Sequence, residues 1–234
     1  MGLTAQQIVA DACSIAKGPG YLAAAGRALN MILSELCQTY DLELARGIAS
    51  VVVGSGGVGS GPYSLPSDYL RAQRDAGHYM VNGVPYQLTN VDLAEFDMMV
   101  QQGGISNYPQ YFATDTVAVP AALFVWPPPG GSYTITLRYY RQMPDIVTPE
   151  NSGVVPWFPF TNYLITRLAG EVMKITDDTR TDTYLGTGPA GAQGLLDRWL
   201  KLQTDDEGRS KTVELDRRRF RAGGSAKQTK LLGW

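Results

Sequence analysis

The glycine constellation Gly54-Ser55-Gly56-Gly57-Val58-Gly59, following the apolar run Val51-Val52-Val53, has the spacing of a dinucleotide-binding loop. Glycines so placed let backbone approach a pyrophosphate, provided a helix opens at the last glycine and turns its N-terminus toward the phosphates. Here Pro62 and Pro66 follow, the next residues read as strand and turn, and no repeated βαβ unit appears. The segment is therefore read as a flexible loop between strands, and no cofactor is expected. A phosphate-cradling P-loop is excluded, because no Gly-Lys-Ser/Thr occurs.

His78 is the only histidine. A catalytic Ser-His-Asp arrangement would have to use it, and a zinc site would have to join it to carboxylates and to Cys13 and Cys37 on separate helices. It reads as a half-exposed strand residue. Paired carboxylates such as Asp177 with Asp178, or Asp92 with Glu95, are the raw material of glycoside hydrolysis, but both pairs stand where the sequence reads as solvated loop or helix face. No catalytic or metal-binding residue is nominated, and the chain is read as a non-enzyme.

Charge is unevenly placed. Residues 207–234 hold eight basic side chains against three acidic ones, a local +5, which leaves 12 basic and 19 acidic, or −7, in residues 1–206. The run Asp216-Arg217-Arg218-Arg219-Phe220-Arg221 suits nucleic acid, since Arg neutralises phosphate and an aromatic ring stacks on bases. It equally suits a merely solvated end, or docking on an acidic protein groove with Phe220, Leu231, Leu232 and Trp234 as anchors.

These features need a scaffold. With 234 residues, 44% hydrophobic and 18% charged, the chain can bury a substantial core without metals or disulfides. No apolar run is long enough to cross a bilayer, and Met1 to Gln6 do not read as a secretory signal, so no membrane partner is expected. The two cysteines are expected to be reduced packing residues, about 18 Å out of level in a helical hairpin.

A helix is predicted over residues 3–17, with Thr4 and Gln7 as a capping box and Leu3 with Ile8 as a hydrophobic staple. A second is predicted over 21–40 from the stripe Leu22, Ala25, Leu29, Ile32, Leu36, Tyr40. From Gly47 to Arg141 the period becomes strand-like, interrupted by a short helix at 92–100. The clearest strand pair is read as a hairpin of 122–126 with 133–140 across Pro127-Pro128-Pro129-Gly130-Gly131. Helical spacing returns at Trp157, Phe160, Leu164, Leu168, Val172 and Ile175, followed by a turn at 181–186 and a helix at 189–203 with Pro189 in its first turn.

The expected fold is α+β: an antiparallel helical bundle formed by both ends of the chain, residues 1–46 and 154–205, with an inserted antiparallel β module at 47–153 and an extended basic C-terminal tail at 206–234. One ordered set of signals runs through the middle: Tyr63-Ser64-Leu65-Pro66-Ser67-Asp68-Tyr69-Leu70, Tyr86-Gln87-Leu88, Tyr108-Pro109-Gln110-Tyr111-Phe112, Val125-Trp126-Pro127 and Leu137-Arg138-Tyr139-Tyr140-Arg141. In that order they resemble the head-to-tail adaptor (connector or tail tubular) proteins of short-tailed bacteriophages, over residues 1–205. The glycine-broken stretch 186–194 departs from the continuous helix usual in that family.

The resemblance implies a virion structural protein at the head-tail junction, assembled in the host cytoplasm. It implies a homo-oligomeric ring of about twelve copies between the portal protein and the downstream nozzle or tubular tail protein, with DNA passing through the lumen without specific binding. It favours docking for the tail, making Arg217, Arg218, Arg219, Phe220, Arg221, Leu231, Leu232 and Trp234 the expected portal-binding residues. Two readings from other classes stand beside it: a virion-associated glycosidase acting on peptidoglycan, and a DNA-binding protein using the basic tail.

Overall fold

A computed structural model describes residues 2–54, 60–102 and 108–206. Helix α1 (Ala5–Ile15) opens with the expected capping box: the Thr4 amide donates to Gln7 Oε1 at 2.9 Å and the Gln7 amide to Thr4 Oγ1 at 3.3 Å. Its next free donors are met from far along the chain, Ala5 N–H by the Val154 carbonyl and Gln6 N–H by that of Ser152. A 3-10 turn, Pro19–Tyr21, leads into α2 (Leu22–Thr39).

Seven strands follow, with one helix among them: β1 (Arg46–Val53), β2 (Tyr63–Ser64), β3 (Tyr69–Val81), β4 (Val84–Asn90), α3 (Leu93–Gln102), β5 (Tyr111–Asp115), β6 (Ala122–Trp126) and β7 (Tyr133–Arg141). They make one sheet in the order β1-β7-β3-β4-β5-β6-β2. The sheet curls until β1 meets β2, where the Gly54 amide donates to the Tyr63 hydroxyl at 2.9 Å. The interior is filled by inward residues of every strand, among them Val53, Tyr79, Leu88, Phe112, Leu123, Ile135 and Leu137, all nearly inaccessible.

Helix α4 (Thr161–Ile175) lies at the centre of the remaining helices, with α1, α2, the five-residue α5 (Thr181–Leu185) and α6 (Ala192–Asp206) each packed on it. Phe158, Leu29, Leu36, Leu164 and Leu168 are buried in this second core.

The expected fold class is corrected on two counts. Among the described residues the chain is organised by a nearly closed barrel of mixed sheet with six α-helices, not by a helical bundle formed by both ends of the chain around an antiparallel insert. The mixed character comes from α3. A helix between β4 and β5 carries the chain back to the end from which β4 started, so β5 runs parallel to β4, Thr89 level with Tyr111 and Asn90 with Phe112. As for the helices, the second half of the chain supplies no continuous pair. Past α4 come a single turn, a break, and α6, which begins at Ala192 and leaves Pro189 outside it. The glycines of that break allow close approach, since a Cβ on Gly191 would run into the Gly186 carbonyl.

The expected hairpin of β6 with β7 is also overturned. β7 pairs with β1 and β3, and β6 with β5 and β2. The alternation read in β7 holds as far as Tyr139, with Ile135, Leu137 and Tyr139 buried and Thr134 and Arg138 exposed, but Tyr140, read on the outward face, is buried as well, under the Arg71 guanidinium. Three successive prolines make no tight turn, and their segment instead crosses the barrel end.

Candidate functional site

The expected portal-binding residues, Arg217, Arg218, Arg219, Phe220, Arg221, Leu231, Leu232 and Trp234, lie outside the described residues, as do Gly56 and Gly59. Gly54 sits at φ +77 after β1, and the next described element is β2, a strand and not a helix. His78 is half-buried in β3, level with Gln87 and Thr136. The carboxylate pairs are engaged locally. Asp178 holds Arg180 through three hydrogen bonds to its side chain, which keep the half-buried Asp178 carboxyl low, at about 2, the reverse of what a general acid requires. Asp92 Oδ1 accepts the Glu95 amide at 2.7 Å and so caps α3. Among the described residues no cluster of His, Cys, Asp and Glu is placed to hold a metal, and no helix is long and apolar enough to cross a membrane. Cys13 and Cys37 are free and buried, and burial pushes both thiols up.

The barrel and the helices meet around Arg71. Its guanidinium donates to the carbonyls of Cys37 (3.2 Å), Gln38 (2.9 Å) and Tyr40 (3.2 Å) at the end of α2, pairs with Asp41 at 2.7 Å, and lies 5.0 Å over the Tyr140 ring. Carbonyls left open by α2 are thus satisfied by a cation from β3. Asn30 adds a two-way bond to Ile146, donating to its carbonyl at 2.9 Å and accepting its amide at 3.1 Å. Beside this joint an open cleft of about 840 Å³ is lined by Ser67, Asp68, Arg141, Gln142, Met143, Pro144 and Asp145. At its floor the Tyr139 hydroxyl donates to Asp68 Oδ1 at 2.8 Å.

The opposite end of the barrel differs chemically. There β1, β3 and β6 end and β2, β4, β5 and β7 begin. Lys, Arg, Asp and Glu are missing from residues 47–67, 76–91, 98–114 and 116–137, which contribute these strand ends. Four tyrosines gather here: Tyr79 stacks on Tyr86 at 5.5 Å, Tyr86 on Tyr108 at 5.9 Å, and Tyr133 lies 5.2 Å from Tyr79 and 6.2 Å from Tyr108. Tyr79 is buried, donates to the Pro109 carbonyl at 2.9 Å, and is pushed up to about 12 by burial and by the neighbouring phenols. Tyr86 and Tyr108 are 41% and 44% exposed.

Across residues 76–137 the only charges are Asp92, Glu95, Asp97 and Asp115. Motif reading passes over this sector because its signal is a missing residue type. Arg71 escapes for another reason: in sequence it is one cation in a strand, and only the fold brings α2 to it.

The described surfaces thus offer a charged joint between barrel and helices at one end and an uncharged aromatic platform at the other. A search of curated proteins finds no match to the chain. The model of the SU10 adaptor protein family matches residues 3–213, nearly its whole length and stopping short of Arg217. The chain belongs to this family of phage head-to-tail adaptors, structural components of the virion.

Proposed function

We propose that copies of this protein form a ring, of about twelve, between the portal and the next tail protein, lining the channel through which DNA leaves the head. The observation that carries the reading is the charge map. One end of the barrel is charge-free, the helical end carries the charged joint, and residues 76–137 hold four carboxylates without a single Lys or Arg. A wall bearing only negative charge gives phosphates nothing to settle on, which suits a duplex that must slide. Two chemically distinct ends suit a protein that joins two different neighbours.

In this reading residues 1–46 and 154–205 work together against the portal. Residues 47–153 face the tail, and residues 206–234 reach the portal through Arg217, Arg218, Arg219, Phe220, Arg221, Leu231, Leu232 and Trp234. Native mass spectrometry of the protein alone and mixed with its portal tests it. A monomer alone and a ring on the portal are expected; no association with the portal overturns the reading.

A further inference from the structure

We propose that the charge-free end of the barrel is a docking surface for a tail-protein surface that is itself uncharged, with Met80, Val84, Tyr86 and Tyr108 as its anchors. The proposal rests on the adaptor reading and adds the chemistry of one contact.

Val84 to Gln87 pair with β3 alone, since β5 joins β4 only at Thr89 and Asn90, and apart from Leu88 every residue of β4 is exposed. Met80 is 56% and Val84 54% exposed. Beside them the Tyr86 and Tyr108 rings lie nearly parallel, 7° apart, each held by a second tyrosine. Rigid aromatic rings and Met, with charge removed, are the composition of an interface core and not of a solvated rim. Exposed apolar side chains gathered at one end of a soluble domain mark a contact surface.

The same pattern selects the occupant. A Lys or Asp on the partner would lose its water against Val84 and Tyr86 and find no opposite charge to offset that loss. Nucleic acid is a poor occupant, because phosphates need cations and the described residues at this end supply none. In the ring proposed above, with residues 47–153 toward the tail, this end points at the next component and away from the contacts that close the ring. What remains is a neutral protein surface in the next component.

The test places p-benzoyl-phenylalanine at Val84 in phage particles, with a control at Met31, 72% exposed on α2. Light-induced linkage from position 84 to a tail protein, through a peptide without charged residues around the attachment, is expected; position 31 should not give that product. Linkage to the portal, to another copy or to DNA, or no linkage in finished particles, overturns the inference. If position 84 fails while the complex with portal still forms by native mass, only this inference falls; if that complex is missing, the adaptor reading falls. Tyr86→Lys should cut tail joining about tenfold with an unchanged melting temperature, while Tyr86→Phe stays within about twofold. Raising salt from about 0.1 to 0.5 M should alter joining by less than about twofold, and a tenfold loss would mark the contact as ionic and refute the proposal.

Discussion

Arg71 and Tyr40 are joined by a 3.2 Å hydrogen bond from guanidinium to main-chain carbonyl, so the end of α2 is closed by a side chain from the barrel. Helix ends are more often closed by their own flanking residues. Here the cap is also the weld between two cores, and cutting it should affect both.

Arg71→Ala should lower stability by about 2–3 kcal/mol, since it opens several carbonyls and frees Asp41 together. Arg71→Lys should recover only part, because a point ammonium cannot serve four acceptors and a ring. Denaturant unfolding followed by circular dichroism measures both.

Alkali should unfold the protein in a defined window. Burial raises Tyr79, Tyr139 and Tyr163 to about 12 each, with the Asp68 carboxylate adding to the rise at Tyr139. A folded-state value above the unfolded value near 10 means stability fully present below pH 10 and lost as pH climbs through 12. Absorbance at 295 nm should show Tyr79, Tyr139 and Tyr163 ionising only as the fold gives way.

Gly54→Ala should cost about 1–3 kcal/mol. Gly54 sits at φ +77, and an added Cβ would meet the Gly131 carbonyl where the barrel closes. Gly20→Ala is the control, with nothing near its Cβ, and should stay within about 0.5 kcal/mol. Thermal melts compare the two.

Removing residues 207–234 should leave the melting temperature nearly unchanged while abolishing association with the portal. Replacing Arg217, Arg218 and Arg219 by Ala should weaken that association in a salt-dependent way, and Trp234→Ala with less dependence on salt. Calorimetric titration against the portal at two salt concentrations separates them, and undiminished affinity of the truncated protein would refute the assignment.

Local structure was legible wherever neighbours in sequence decide it. Thr4 and Gln7 announce α1, and the alternation from Tyr133 to Tyr139 announces β7. Which strands lie side by side was not legible, because pairing is settled by closure of the whole sheet. Ala122–Trp126 and Tyr133–Arg141 follow one another yet share no bonds, and the short helix after Asn90 gave no hint that it reverses the direction of β5. The candidate surface was hidden in the same way: Tyr86 and Tyr108 stand apart in sequence and become one platform only when the barrel forms.

The donors of Ala5 and Gln6 are held by the carbonyls of Val154 and Ser152, and this bears on how the chain is made. Helix α1 waits for residues translated after the entire barrel before these donors are met. Until α4 emerges, Ile8, Leu29 and Leu36 have no floor to rest on. The nascent protein therefore carries an open apolar seam until α4 is made, the kind of transient exposure that favours aggregation during folding.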